Sequence, residues 1–319
     1  SYVDPSGNND AAAVQDAAGN DAAKLETVIV NNRSTVAANP KLAFNIQQIG
    51  ADELEGAKKD RFGHSVSASR DGKIVAIGAP QDGVGNGYVQ VYKQVGNSWQ
   101  ALGNKLTGPA LHDRFGEEVS LSADGTRLVV GASRNDTVSQ QSGTARIYEL
   151  KGDVWEPISD WLDGDSWRER AGQAVAISGD GNTVAIGRPQ EKKSVDKKNP
   201  GHVALYRYNK DTKAWSRTLI NHKFGTGRTV DQEEYFGDSV SLSYDGNTLI
   251  VGAPGYDNPR DDRLKDEGRA SIWRYSEEHH NPDKRWKQIQ EIKGIMGNGQ
   301  LGKSVSISDD GKTVAVGGP

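Results

Sequence analysis

The chain holds 319 residues, enough for one large self-repeating domain or two ordinary ones, and its 39 Lys and Arg nearly balance 43 Asp and Glu. A formal charge of −4 with no long run of either sign excludes the basic face that sequence-independent nucleic-acid binding needs. The absence of cysteine excludes disulfides, thiolate metal sites and cysteine nucleophiles; no apolar stretch approaches the roughly 20 residues of a membrane-spanning helix, so no membrane insertion is expected.

Residues 1–26, dominated by Ala, Asp, Asn and Gly, offer almost nothing large to bury and read as a flexible N-terminal tail. The chain starts at Ser1 rather than Met, which fits either a removed leader or an incomplete sequence, and secretion is the favoured expectation. From Thr27 the character changes: TVIVNN (27–32) and AFNIQQIG (43–50) are short β-rich runs. Asn32 and Asn135 stand in N-glycosylation sequons and are candidate acceptors.

From Arg61 the chain copies itself. RFGHSVSASRDGKIVAIGAP (61–80) is followed by counterparts at 114–133, 170–189, 235–254 and 300–319. Their glycines, Gly63, Gly116, Gly172, Gly237 and Gly302, stand 53, 56, 65 and 65 residues apart, intervals that mean a toroid or solenoid of supersecondary units. Within FGDSVSLS, Phe236, Val240 and Leu242 are large, and Ser239, Ser241 and Ser243 alternate with the last two at the period of a strand. Asp245-Gly246 supplies a tight turn, and NTLIVGAP returns as a more uniformly apolar strand. A third strand follows at 87–93, 143–149, 201–207 and 268–274. A fourth is led by Trp99, Trp155, Trp215 and Trp286, which read as anchors packed between blades. Four strands per period make the blade of an all-β propeller.

The pattern FG-x-S-V-S-h-S-x-D-G-x-x-h-h-V-G-A-P, with h apolar, resembles the FG-GAP repeat of the integrin α-subunit propeller and of many microbial and algal surface proteins, over about residues 43–319. The resemblance implies a propeller that displays loops to a partner. It departs at the calcium loops of integrin-type repeats. Asp71, Asp124, Asp180, Asp245 and Asp310 stand where the last loop acid would be, but S-x-D-G is too short to wrap a cation. No metal and no cofactor are carried over, and these aspartates are expected to be turn formers.

Four units are complete and the fifth stops after its second strand. With 27–32 and 43–50 as its third and fourth strands, residues 27–319 form a five-bladed propeller closed by N-terminal strands; a fragment of a six- or seven-bladed ring is the alternative. Loops 190–202 and 255–268 are the longest between second and third strands and are the expected surfaces for a protein partner or self-assembly. Asp257, Asp261, Asp262, Asp266 and Glu267 carry carboxylates, but interleaved Arg260, Arg263 and Lys265 favour a solvated charged loop.

Trp161, Asp163, Asp165 and Trp167 form the candidate ligand-binding segment, because aromatic faces beside carboxylates suit a sugar. The competing reading, an irregular connection packing its own aromatics, is the weightier. The histidines, including His279 and His280, show no metal-ligand spacing, and neither a phosphate loop nor a nucleophile elbow is present, so no catalytic residue is assigned. The expected function is a non-catalytic interaction or structural scaffold, extracellular or at the cell surface, in adhesion or assembly. Carbohydrate binding is the alternative, and glycoside hydrolysis the less favoured third reading.

Overall fold

Each S-x-D-G turn builds itself from its own side chains. In the first, the Asp71 carboxylate accepts from the Ser69 hydroxyl at 2.7 Å and from Lys73 N at 3.0 Å, while Ser69 Oγ accepts from Ile74 N at 3.0 Å. Gly72 takes φ 69°, in the left-handed region that glycine enters without steric cost. The same bonds recur at Ser122/Asp124, Ser178/Asp180, Ser243/Asp245 and Ser308/Asp310. The five aspartates are therefore occupied in closing hairpins.

This computed structural model describes residues 54–81, 85–189, 201–221, 234–257, 265–279 and 285–319. The chain divides into units 1–49 and 50–319, and every described residue lies in the second. The expected tail 1–26, the strands 27–32 and 43–50, Asn32, His280, and the central parts of both long loops lie outside the described residues.

The described elements are all strands or turns. Antiparallel meanders run β1 (Ser65–Ala68), β2 (Ile74–Ala79), β3 (Tyr88–Val95) and β4 (Ser98–Ala101), with β5 (Leu106–Thr107) also on β3. They continue with β6 (Glu118–Leu121), β7 (Arg127–Ala132), β8 (Thr144–Lys151) and β9 (Val154–Pro157), then β10 (Ala174–Ile177), β11 (Thr183–Arg188), β12 (His202–Asn209) and β13 (Ala214–Asn221). The fourth sheet is β14 (Ser239–Leu242), β15 (Thr248–Ala253), β16 (Arg269–Tyr275) and β17 (Trp286–Lys293). The fifth repeat contributes β18 (Ser304–Ile307) and β19 (Val314–Gly317). These are the repeated four-stranded blades of a β-propeller. Turns joining first to second and third to fourth strands fall on one rim, and the remaining connections fall on the opposite loop rim.

The core lies between blades rather than within any one. Leu128 and Val130 of the second blade pack with Val89 and Val91 of the first; Val184, Ile186 and Ala204 of the third pack with Val129 and Ile147 of the second. Leu249 and Val251 of the fourth meet Val203 and Leu205 of the third. Burying one such Val, Leu or Ile is worth about 1.5–3 kcal/mol. Serines of the innermost strands bind across the seams: Ser65 and Ser67 Oγ accept from Val119 N and Leu121 N, both at 2.9 Å, and Ser241 Oγ accepts from Ile307 N at 3.3 Å.

Main-chain hydrogen bonds also link the turns in succession. Arg70 N donates to Ala123 O, Ala123 N to Gly179 O, Asp180 N to Tyr244 O, and Tyr244 N to Asp309 O, at 2.8–2.9 Å. The anchoring tryptophans divide. Trp155 and Trp286 are buried as expected, whereas Trp99 and Trp215 are only half-buried at the outer strand. Trp155 Nε1 donates to Leu102 O and Trp215 Nε1 to Ile158 O, so each clips its strand to the connection leaving the preceding blade.

Candidate functional site

Four of the five repeats place an acid three residues before the repeat glycine, and the fold buries it: Asp60, Asp113, Glu169 and Glu234. Each brackets the loop rim of its own blade. Asp60 accepts from the Tyr88 hydroxyl, Asp113 from Asn135 Nδ2 at 2.8 Å, and Glu234 from Arg269, whose Nη1 also donates to Glu291 Oε1 at 2.8 Å. In the third blade Glu169 Oε1 stands 2.9 Å from His202 Nε2, at the start of β12. The bracket itself is thus a repeated structural device.

What sets the third blade apart is its departure from the other copies. Ala171 occupies the place of Phe62, Phe115 and Phe236, and Arg188 occupies that of Ala79, Ala132 and Ala253. Elsewhere the leading Phe meets the aromatic of its own third strand edge-on: Phe62 with Tyr92, Phe115 with Tyr148 and Phe236 with Trp273, at ring separations of 6.4, 6.4 and 6.5 Å. Here Tyr206 has no such ring partner among the described residues, and Arg188 Nη2 approaches its hydroxyl at 3.5 Å. A guanidinium has been brought in where the repeat packs hydrocarbon.

Arg188 is fully buried, with 0% exposure. Its Nη2 donates to Asp163 O at 2.9 Å, and its Nη1 lies 3.0 Å from Asp165 Oδ2 and 3.6 Å from Glu169 Oε2. Arg217, on the outer strand β13, reaches back to the same carboxylate: Nη1 donates to Oδ1 at 3.2 Å and Nη2 to Oδ2. Glu169 Oε2 accepts from Asp165 N and Ser166 N, so the main chain at this corner is pinned from below. The Arg217 hydrogen bond, with the charge of Arg188, holds the Asp165 carboxyl below its usual range. Burial pushes Glu169 up, but His202 and Arg188 together outweigh it and leave that carboxyl lowered too.

Asp165, Glu169 and His202 bring potential ligand atoms within 4.8 Å of one another, which is the spacing of a cation site. The charges argue otherwise. Two guanidiniums already neutralise these carboxylates, and a divalent ion would meet both positive groups at close range. The arrangement is suited to carboxylate recognition.

The four residues of the candidate segment do not share one surface. Trp161 turns inward, edge-on to Phe115 at 6.3 Å and covered by Arg146 at 4.7 Å, and belongs to the packing between blades. Trp167 is half-buried at the rim, with Arg168 stacked 4.6 Å from its centre and Nε1 donating to Gln140 Oε1 at 3.1 Å. Asp163 contributes its carbonyl to Arg188, and Asp165 alone presents its carboxylate to both arginines. Glu169, Arg188, His202 and Arg217 were not singled out by sequence reasoning. Comparing the five copies column by column exposes Arg188 and Ala171; nothing local marks Arg217.

Asn135, the other sequon residue, is buried, and its Nδ2 is committed to Asp113. In the folded protein that nitrogen is closed to glycosylation. Of loop 255–268, the described ends are anchored: Tyr256 is buried beneath Arg269 at 4.3 Å, and Asp257 accepts from Asp266 N.

The family profile described as the FG-GAP repeat matches residues 107–148, a span that contains the hairpin of the second of the five copies. No protein of curated function matches the chain. Among solved structures, a protein from Lactobacillus plantarum is 12% identical, aligned over 80% of this chain with a TM-score of 0.47; the alignment spans 63% of that protein's length.

Proposed function

We propose that this chain, a propeller built on FG-GAP repeats, is a non-catalytic, five-bladed interaction scaffold at the cell surface or outside the cell, which presents its loop rim to a protein partner. One observation carries the reading. The polar residues that recur from copy to copy are taken up by turns, by blade-to-blade bonds and by the buried acids beneath the loop rim, whereas their partners on that rim differ from blade to blade and include the Arg188–Asp165–Arg217 cluster in the third. A rigid frame with one individual edge is how repeat folds present binding surfaces.

The test places a photo-cross-linking residue at Trp167 on the loop rim or at Asp211 on the opposite rim, in cells that express the protein. Cross-links to a protein from position 167 but not 211 support the scaffold. Binding on a glycan array that is lost with Trp167→Ala would favour carbohydrate recognition instead, which rests on the half-buried Trp167 ring beside polar groups. Turnover abolished by a single carboxylate substitution would overturn the non-catalytic reading.

A further inference from the structure

We propose that Arg188 and Arg217 form a receptor fork for a carboxylate of an acidic partner segment, and that Asp165 is the internal stand-in that fills it in the free protein. The inference rests on the scaffold reading and names the chemistry its loop rim recognises.

Three observations lead to it. First, the fold does not need the charge, since Ala79, Ala132 and Ala253 serve at the same position in other blades. A guanidinium buried to 0% exposure there costs desolvation that only close anionic partners offset. Second, the two carboxylates on it differ. Glu169 is buried beneath Arg188 and fastened to His202 and to two main-chain N–H groups, whereas the Asp165 side chain is 54% exposed and, among the described residues, held only by guanidinium contacts. Its backbone is pinned through its own N–H while its side chain remains on the solvent side, so χ1 rotation frees the fork without moving the main chain. Third, Arg217 grips both oxygens of Asp165 through its two Nη atoms, the bidentate geometry that distinguishes arginine recognition of carboxylate from a general positive field. Arg188 Nε, buried and without a hydrogen-bond partner among the described residues, leaves donor capacity that the resident carboxylate does not use.

A partner Asp or Glu entering from solvent therefore exchanges for Asp165, and the resident acid acts as a built-in competitor. The test measures binding of a fluorescently labelled, N-acetylated hexaglutamate amide by anisotropy, with hexaglutamine as the neutral control. Asp165→Ala should tighten hexaglutamate binding at least tenfold. Arg217→Gln should abolish the gain in that background, and Arg70→Gln on the opposite rim should leave affinity unchanged. Should the alanine variant fail to fold, Asp165→Asn removes the charge at constant size and must shift affinity in the same direction. Equal affinity of the Asp165 variants and the unaltered protein, or full retention with Arg217→Gln, overturns the fork. So does binding of an oligogalacturonate in place of the peptide, which would assign the cluster to an acidic glycan. Loss of the fork with persistent cross-links from position 167 leaves the scaffold standing, so the two readings fail separately.

Discussion

Arg70 Nη2 stands 2.9 Å from Asp309 Oδ2, joining the turn of the first repeat to that of the fifth. Both side chains are more than half exposed, and such a pair contributes little to stability, about 0–1 kcal/mol. Its importance is topological. The main-chain bonds from Arg70 through Ala123, Gly179 and Tyr244 to Asp309 connect the turns in order, and this contact returns from the last to the first.

A ring closed on five repeats would be detectable by proximity of these two turns. The chain has no native cysteine, so Arg70→Cys combined with Asp309→Cys gives a single reactive pair. A short bis-maleimide should link the pair within one molecule at a rate unaffected by high salt. Intermolecular products only, or none, would mean that a further blade separates these turns.

The seams between blades should respond unequally to one added methyl group. A Cβ at Gly131 would lie 2.0 Å from the Gly172 carbonyl oxygen, and no flexible side chain can yield there, because the neighbour is backbone. Its counterpart in the fifth repeat, Gly317, meets nothing nearer than 3.9 Å. Gly131→Ala should therefore lower stability by several kcal/mol, or about 3 kcal/mol and more, like other strained core substitutions. Gly317→Ala should change it by less than about 1 kcal/mol. Chemical denaturation of the two variants decides, and equal losses would show the seams to be equivalent.

Glu118, on the innermost strand of the second blade, sets a pH dependence. Burial pushes its carboxyl up to about 7 from 4.5, aided by the neighbouring charge of Glu117 and opposed by a hydrogen bond to Ser65. The folded state then binds more protons than the unfolded state between these values, so stability falls as pH rises from about 4.5 to about 7. With roughly 1.4 kcal/mol per pKa unit and some allowance for partial exposure, the loss is about 2–3 kcal/mol. Glu118→Gln should remove this slope and make the variant more stable than the parent at pH 8. Asp165 and Glu169, both lowered, work in the opposite sense: what they contribute is present above their unfolded values and is lost as pH falls through the folded ones. Urea titrations at pH 5 and pH 8 separate the contributions, and an unchanged slope in Glu118→Gln would exclude this assignment.

The sequence by itself determined the blade. The alternation in SVSLS, the Asp-Gly turn and the apolar return strand are local chemistry, complete within about 20 residues, and five copies let each confirm the others. The turn role of Asp71 and its counterparts was legible for the same reason, since donors and acceptors lie within five residues of one another. What only the tertiary structure decided is how departures from the repeat meet. Asp165 and Arg188 are 23 residues apart, and Arg217 is 52 from Asp165, on a strand with no distinguishing pattern. The same holds for the pair Trp161 and Trp167, neighbours in the chain that the fold sends to a blade seam and to the rim, and for Asn135, whose sequon reads as accessible until Asp113 claims its amide. Local sequence fixes strand period and turn geometry because those depend on adjacent residues; which distant charges are desolvated together depends on the packing of blades, and that is written only in three dimensions.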